Sequence, residues 1–430
     1  MSEGLQTQQS TSRLLAGWLS GRSGNSFAEH LDRHGPVYLP RNRDEGNRLI
    51  AEVEAAGLRG RGGAGFPTAV KLRAVASGRG PAAVLANGCE GEPASGKDGA
   101  LLSLEPHLII DGAQVAAAAV GADRIHLCVH RGSPAAATLR AALLQRSSTG
   151  PQIRVTEVPG RYVASEESAL VRFINTGEAR PTAKPPRPFE RGVAGRSTLI
   201  DNVETLAHLA LITRHGADWF RAVGTADSPG TTLVTLSAGV ERPGVYETQL
   251  GASIRDVLRL GGGSVAALQA VLVGGYAGAW LQLPDATSVP LSHEGLRAAG
   301  GTLGVAALIG LPIGACGVVE TALILRYLAG ESARQCGPCM FGLPAVAADF
   351  VELARGTARA ETLDRLRSRL GVIPGRGACS HPDGAARLAA SALRVFADDV
   401  QAHASGHPCA GASQPSVVAP PAATTNPDWT

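Results

Sequence analysis

Lysine is almost missing from this chain. Of 40 basic residues only Lys71, Lys97 and Lys184 are lysine, and the rest are arginine. Arginine bias explains the general basicity. It does not explain why three positions keep a compact ammonium, which differs chemically from a planar guanidinium. Charge of one sign is lacking as well. The formal net charge is +3 over 430 residues, which gives no argument for a polybasic nucleic-acid or membrane partner. Seven cysteines are too few for a disulfide scaffold. An odd count with one CxxC fits a reduced compartment and metal or redox use. The uncharged run over residues 298–319 is broken by glycines and Pro312, so it reads as loop and buried strand rather than a membrane span. The polar start MSEGLQTQQSTSR has no apolar core of a signal peptide. A cytoplasmic chain without direct membrane insertion is expected.

What is present organises into layers. At 44% hydrophobic and 18% charged, the chain can bury a substantial core. Residues 1–45 are polar and arginine-rich, a variable N-terminal segment. Over 46–230, helical patterns (48–58, 108–120, 135–146) alternate with short apolar strands (82–86, 125–130), which predicts an α/β layered domain. Residues 181–195 form an irregular Pro/Arg/Gly arm. Over 231–300, strands flank the turn ERPG and a helix follows at 253–260, a small β-grasp-like domain. Residues 301–402 hold a linker and four helical patterns (318–329, 341–355, 360–370, 383–402), as in an antiparallel bundle. Residues 403–430 read as a disordered tail.

Four motifs carry chemistry. Gly60-Arg61-Gly62-Gly63-Ala64-Gly65 matches GxGxxG by letter, but a helix precedes it where a dinucleotide fold needs a strand. The loop remains a candidate anion site, with glycines permitting close backbone approach and Lys71 supplying charge. An ordinary turn is the plain alternative. The second motif, NGCEGEPASGKD, places Asn87, Glu90, Glu92, Lys97 and Asp98 after a strand end, where α/β sheets bind ligands. A solvated acidic loop would look the same. The third, GRYVASEESAL, brings Tyr162, Glu166 and Glu167 to a helix start, where Ser165 and the carboxylates also suit simple capping. An arm carrying Lys184 follows, and then Asp201, Asn202 and Glu204 at another helix start. The fourth is Cys336-Gly-Pro-Cys339, with Cys379 before the last helix. It fits a metal cluster at helix N-termini, a thioredoxin-like dithiol or half a zinc site. Three cysteines at two helix starts favour the cluster.

In this order the motifs resemble the NADH-oxidising flavoprotein subunit of respiratory complex I and its relatives in soluble hydrogenases and formate dehydrogenases. GLRGRGGAGFPTAVKL (57–72) is the strongest match. NGCEGEPASGKD, EPHLIIDG, RYVASEESAL, KPPRP, DNVETLAHL, SAGVERPGVYE and QCGPC follow at the expected intervals, so the resemblance spans about 45 to 400. It implies an FMN-binding α/β domain, a soluble-ligand-binding β-grasp (SLBB) domain and a helical bundle with an iron–sulfur cluster. It implies the oxidation of NADH or NADPH through FMN, with electrons passed by the cluster to a partner. That partner would be a thioredoxin-fold iron–sulfur subunit of a quinone oxidoreductase complex, or a ferredoxin. By matching position, FMN falls to Gly60, Arg61, Gly62, Gly63, Lys71, Asn87, Glu90, Tyr162, Glu166, Glu167, Asp201 and Asn202. NADH falls to Phe66, Glu92 and Lys184, and a 4Fe-4S cluster to Cys336, Cys339 and Cys379. Hydride transfer would belong to the flavin, with no catalytic side chain.

The sequence departs from the resemblance in four places. The first cluster cysteine is Ala333, which cannot ligate iron, although cubanes normally take four thiolates; His381 and Cys409 are candidate fourth ligands. An aspartate beside the flavin is Cys89. Two aromatics that clamp the nucleotide are Ala74 and Arg187, which would cost about 1–3 kcal/mol of stacking unless Arg187 stacks on adenine or pairs with a 2′-phosphate. A glycine before the paired glutamates is Ser165. These departures motivate two other readings: a redox-inactive member acting as a binding or assembly subunit, and a zinc scaffold using the CxxC.

Overall fold

The computed structural model describes residues 12–15, 26–147, 150–421 and 428–430. Of the segment expected to be variable, residues 1–11 and 16–25 lie outside the described residues. Helix α1 (Phe27–His34) opens on a capping box in which Ser26 and Glu29 satisfy each other's amides. Helix α2 (Arg43–Ala56) stops at Gly57, whose φ of 71° suits a residue without Cβ. The glycine loop leads into α3 (Thr68–Ala76).

Strands and helices then alternate: β1 (Ala82–Asn87), α4 (Lys97–Leu104), α5 (Pro106–Val120), β2 (Ala122–His130), α6 (Pro134–Leu144), β3 (Gln152–Val158), α7 (Glu167–Thr176), β4 (Thr198–Asn202) and α8 (Val203–Arg221). The four strands are parallel in the order β3-β2-β1-β4. Ala82, Val84 and Ala86 face a core that includes residues of α2, α3, α5 and α8. Ala83 and Leu85 face the opposite way, onto Cys128, Val158 and Leu170. A strand buried on both faces reads as a continuous apolar run, which is how 82–86 reads in the sequence. The winding reverses between β1 and β4. In open parallel sheets the crevice beyond the strand ends at such a reversal binds ligands. Asn87 and Asn202 are register partners at that end.

The second sheet contains β5 (Thr231–Ala238), β6 (Gly244–Gln249), β7 (Leu268–Val273), β8 (Ala279–Gln282) and β9 (Ala307–Pro312), with helices α9 (Ile254–Leu260) and α10 (His293–Ala298) in its connections. Its order is β6-β5-β9-β7-β8 with β5 and β9 parallel, a β-grasp arrangement. The sequence reading ended this unit at residue 300, but β9 lies beyond that point and is the central strand. It was obscured because glycine-rich chain surrounds it. Ala270 and Leu272 of β7 face the helical bundle, whereas Val271 and Val273 face α9, so this sheet also has two buried faces.

Five helices follow: α11 (Gly317–Gly330), α12 (Leu343–Ala354), α13 (Thr362–Val372), α14 (His381–Val395) and α15 (Ala397–Ala404). The single helix expected over 383–402 is interrupted at Phe396, which has φ −109° and ψ 36°, so four patterns become five helices. The tail expected to be disordered is anchored at several described points, although much of it is exposed. Glu320 accepts hydrogen bonds from the amides of Val417 and Val418 (2.8 and 2.9 Å), and Trp429 is buried beneath the guanidinium groups of Arg161 and Arg180. Its low apolar content hid two well-placed anchors, Val418 and Trp429. Among the described residues no helix is long and apolar enough to cross a membrane.

Candidate flavin and cluster sites

The glycine loop is a tight turn laid against the end of the parallel sheet. Gly60 N donates to Phe66 O (2.9 Å) and Thr68 N to Leu58 O (2.9 Å), closing it. Gly65 has φ 62°, and a Cβ there would sit 2.2 Å from the His293 ring; a Cβ on Gly62 would sit 3.3 Å from Asn202 Cβ. Gly63 pairs with Gly304. The glycines are thus required for close packing between β4 and the second sheet. Arg61 does not face the crevice. Its amide donates to Thr205 Oγ1 (2.8 Å) and its guanidinium to Thr231 O (3.0 Å) and Arg59 O (3.3 Å). Burial lowers its pKa to about 10, against the pull of Glu204. The charge expected of Arg61 braces the fold, and Lys71 is left to supply charge beside the loop.

Lys71 Nζ donates to Ile200 O (2.9 Å) and Asp201 Oδ1 (3.0 Å) at the end of β4. Asp201 Oδ2 is buried and has no partner among the described residues. Burial pushes the Asp201 carboxyl up, and Lys71 offsets part of that. Across the strand reversal, Asn202 Nδ2 donates to Asp98 Oδ2 (2.7 Å) and Asn87 O (3.3 Å). Asn87 Nδ2 donates to Ser165 O (2.9 Å). Lys97, 1% exposed, lies under this floor, 2.6 Å from Asp98 and 2.9 Å from Glu204. Burial opposes its charge, but Asp98, Glu204 and Glu90 outweigh that and raise its pKa. Burial likewise opposes the charge on Glu204, yet Lys97, His208 and Arg61 bring it down to about 2.

The acidic residues divide by task. Glu90 accepts from the amides of Asp98 and Gly99 (both 3.1 Å) and from Ser95 Oγ, holding the start of α4. Glu92 is buried against the turn at Gly275 and accepts from Tyr162 Oη (3.0 Å) and Ala94 N (3.1 Å). Burial raises it to about 7 despite those donors. Glu166 caps α7 and, with Glu167, takes Lys184 Nζ at 2.6 and 2.5 Å. Phe66 is 47% exposed beside the loop.

Cys336 and Cys339 precede α12, and Cys379 lies two residues before α14. All are free thiols. Burial and the neighbouring Cys336 and Cys379 push the Cys339 thiol well above its ordinary value, so the three sulfurs share one neighbourhood at two helix starts. That is a fitting donor set for an anionic cluster. Ala333 offers no ligand. Cys409 is elsewhere, 3.4 Å from His403, which corrects its candidacy as a cluster ligand. His381 Nε2 binds Leu328 O (2.8 Å); its Nδ1 is buried without a partner among the described residues.

Tyr162 joins the two regions. Its hydroxyl is on Glu92, its amide donates to Glu331 Oε2 (3.1 Å) just before the cysteines, and its ring centroid is 5.2 Å from that of His381. Of the departures, Cys89 is a buried core residue packed with Cys128, and burial raises its thiol far above the ordinary range. Ser165 Oγ donates to Tyr162 O (3.1 Å). Arg187 is exposed. His293 and Glu331 were missed as parts of the site. His293 has no local signal, because only the fold brings α10 to Gly65.

A family model for the Nuo51 FMN-binding domain matches residues 53–211, which hold the crevice. A second, for the NADH-ubiquinone oxidoreductase-F iron-sulfur binding region, matches 320–403, which hold the three thiols. The F subunit of NADH-quinone oxidoreductase in Mycobacterium bovis is 34% identical over 381 residues, covering 84% of this chain and 85% of that protein. NADP-reducing hydrogenase subunit HndC of Solidesulfovibrio fructosivorans is 30% identical, covering 84% and 77%. The crystal structure of an NAD+-reducing [NiFe]-hydrogenase in the H2-reduced state superposes with a TM-score of 0.80 at 30% identity, covering 91% of this chain and 67% of that one. Crevice, thiols and overall sequence agree: the chain belongs to the family of the NADH-quinone oxidoreductase F subunit.

Proposed function

We propose that the chain oxidises NADH or NADPH through FMN held in the β1/β4 crevice and passes the electrons to an iron–sulfur centre at Cys336, Cys339 and Cys379. The observation that carries this reading is the Lys71–Asp201 pair beside the glycine loop. The Lys71 ammonium lies at the strand reversal, and a buried carboxylate oxygen there has no donor among the described residues. A phosphate would complement the ammonium, and the hydroxyls of a ribityl chain would supply the donor. FMN, when bound, accepts a hydride from the nicotinamide and releases electrons singly. The chain's residues do the rest. Asn87 and Asn202 fix the crevice floor, Lys184 holds Glu166 and Glu167 in place, and Phe66 offers an exposed ring to the nucleotide. Glu92 holds a proton over part of the neutral range. Cys336, Cys339 and Cys379 would hold the centre, with Tyr162 bridging the two regions. The acceptor in this reading is a thioredoxin-fold iron–sulfur subunit or a ferredoxin, and the chain works in the cytoplasm, reaching the membrane only through partners.

The test is anaerobic purification with counts of flavin, iron and sulfide, followed by titration with NADH and NADPH. Bleaching of the flavin spectrum by either nucleotide is expected. A flavin-loaded protein that neither nucleotide reduces overturns the proposal and leaves a binding or assembly subunit.

A further inference from the structure

Away from the cluster thiols, a second set of metal-ligating atoms converges inside the helical bundle. Cys316 is the N-cap of α11, where the chain leaves β9. His403 lies near the end of α15, and Cys409 begins the short turn after it. His403 Nε2 is 3.4 Å from Cys316 Sγ and 3.4 Å from Cys409 Sγ, and all three ligand atoms lie within 4.8 Å of one another. Cys316 and His403 are buried, and Cys409 is partly buried.

The histidine is already oriented as a ligand. Its Nδ1 lies 3.0 Å from Leu353 O on α12. A carbonyl only accepts, so Nδ1 carries the proton and Nε2 presents a lone pair to the two sulfurs. A backbone carbonyl on the far nitrogen is the usual way a metal-bound imidazole is held. The spacing also fits. Zn–S of about 2.3 Å and Zn–N of about 2.0 Å at tetrahedral angles separate sulfur from nitrogen by about 3.5 Å. Cys409 N donates to His403 Nε2 at 3.1 Å, and on metal binding it can turn to the adjacent thiolate.

We infer that Cys316, His403 and Cys409 form a zinc site, distinct from the cluster, that fastens the C-terminal segment and α15 to the start of α11. Zinc replaces the two thiol protons, which leave to solvent, and no oxidation state changes. Two thiolates and one imidazole leave a fourth tetrahedral position for water.

The experiment uses the full-length, cofactor-loaded protein, purified anaerobically without chelator. Elemental analysis should find about one zinc per chain beyond the iron. Cys409→Ser and His403→Gln should each abolish most of that zinc while flavin and iron contents hold. Cobalt(II) added to zinc-stripped protein should give thiolate-to-cobalt charge-transfer bands, absent in Cys409→Ser. If His403→Gln fails to fold, Cys409→Ser still decides, because it alters one partly exposed residue beyond the last helix. Zinc absent with no cobalt bands overturns the proposal, as does zinc that survives Cys409→Ser but disappears with Cys339→Ser. Recovery of a Cys316–Cys409 disulfide from the anaerobic protein also overturns it.

Discussion

The ammonium of Lys71 meets one oxygen of the Asp201 carboxylate at 3.0 Å, and the other oxygen is buried with no partner among the described residues. If FMN phosphate takes the same ammonium, Lys71→Met should weaken FMN binding about ten- to a hundredfold, the loss of a hydrogen bond to a charged group at about 1.5–3 kcal/mol. Asp201→Asn replaces the charged acceptor of the ribityl hydroxyls with a neutral amide and should also weaken FMN binding, by less than Lys71→Met. Fluorescence titration of flavin-free protein measures both. Equal affinities in all three proteins would place the phosphate away from Lys71.

Glu92 titrates near neutrality because it is buried. Its folded pKa of about 7 lies above the ordinary 4.5, so the folded state binds the proton more tightly than the unfolded chain. The resulting destabilisation is absent below the unfolded pKa and complete once pH has risen through about 7. Glu92→Gln should therefore raise the melting temperature more at about pH 8 than at about pH 5. It should also remove an inflection near pH 7 from the kcat/KM profile for NADH. Tyr162→Phe deletes a donor that favours the carboxylate, so the inflection should move upward. A profile identical in all three would exclude Glu92 from nucleotide oxidation.

The missing cluster ligand is testable by restoring it. Ala333→Cys, one position before Arg334 with its left-handed φ of 51°, should raise iron towards about four per chain and slow cluster loss in air. Iron content unchanged by the substitution would mean that the ligand set is complete without residue 333.

Beneath the crevice the buried charges balance one another. Lys97→Met would leave Glu204 and Asp98 without their nearest cation and should cost about 3–5 kcal/mol, read from the urea midpoint. Adding Glu204→Gln should recover part of the loss. Glu204, held down to about 2 in the fold, contributes stability that is present above its unfolded pKa of about 4.5 and is lost as pH falls towards 2. Glu204→Gln should flatten stability over that window. A Lys97→Met protein of normal stability would contradict this account.

The parallel sheet and the crevice were legible because their residues follow local rules. Residues 82–86 are apolar on both faces, Gly57 ends a helix, and the polar loops sit at strand ends. Each of the three lysines is bound to a carboxylate of the motifs: Lys71 to Asp201, Lys97 to Asp98 and Glu204, and Lys184 to Glu166 and Glu167. What sequence could not give depends on distant chain. Arg61 turns inward because Thr231, 170 residues away, offers its carbonyl. Cys316, His403 and Cys409 share no local pattern and meet only when β9, α11 and α15 are in place. The tail looked unable to fold because two apolar anchors weigh little in composition.

The position of β9 has a temporal consequence. The parallel sheet has all its strands once residue 202 has been synthesised, whereas the second sheet must wait for residue 312 to fill its centre. At ~5–20 residues per second the interval is on the order of ten seconds. Through it, β5 and β7 exist without the strand that joins them, and Gly63 and Gly65 lack the surfaces of Gly304 and His293 that press on them. A nascent chain therefore has a formed flavin sheet with an unbraced glycine loop, and acquires the finished crevice late in synthesis.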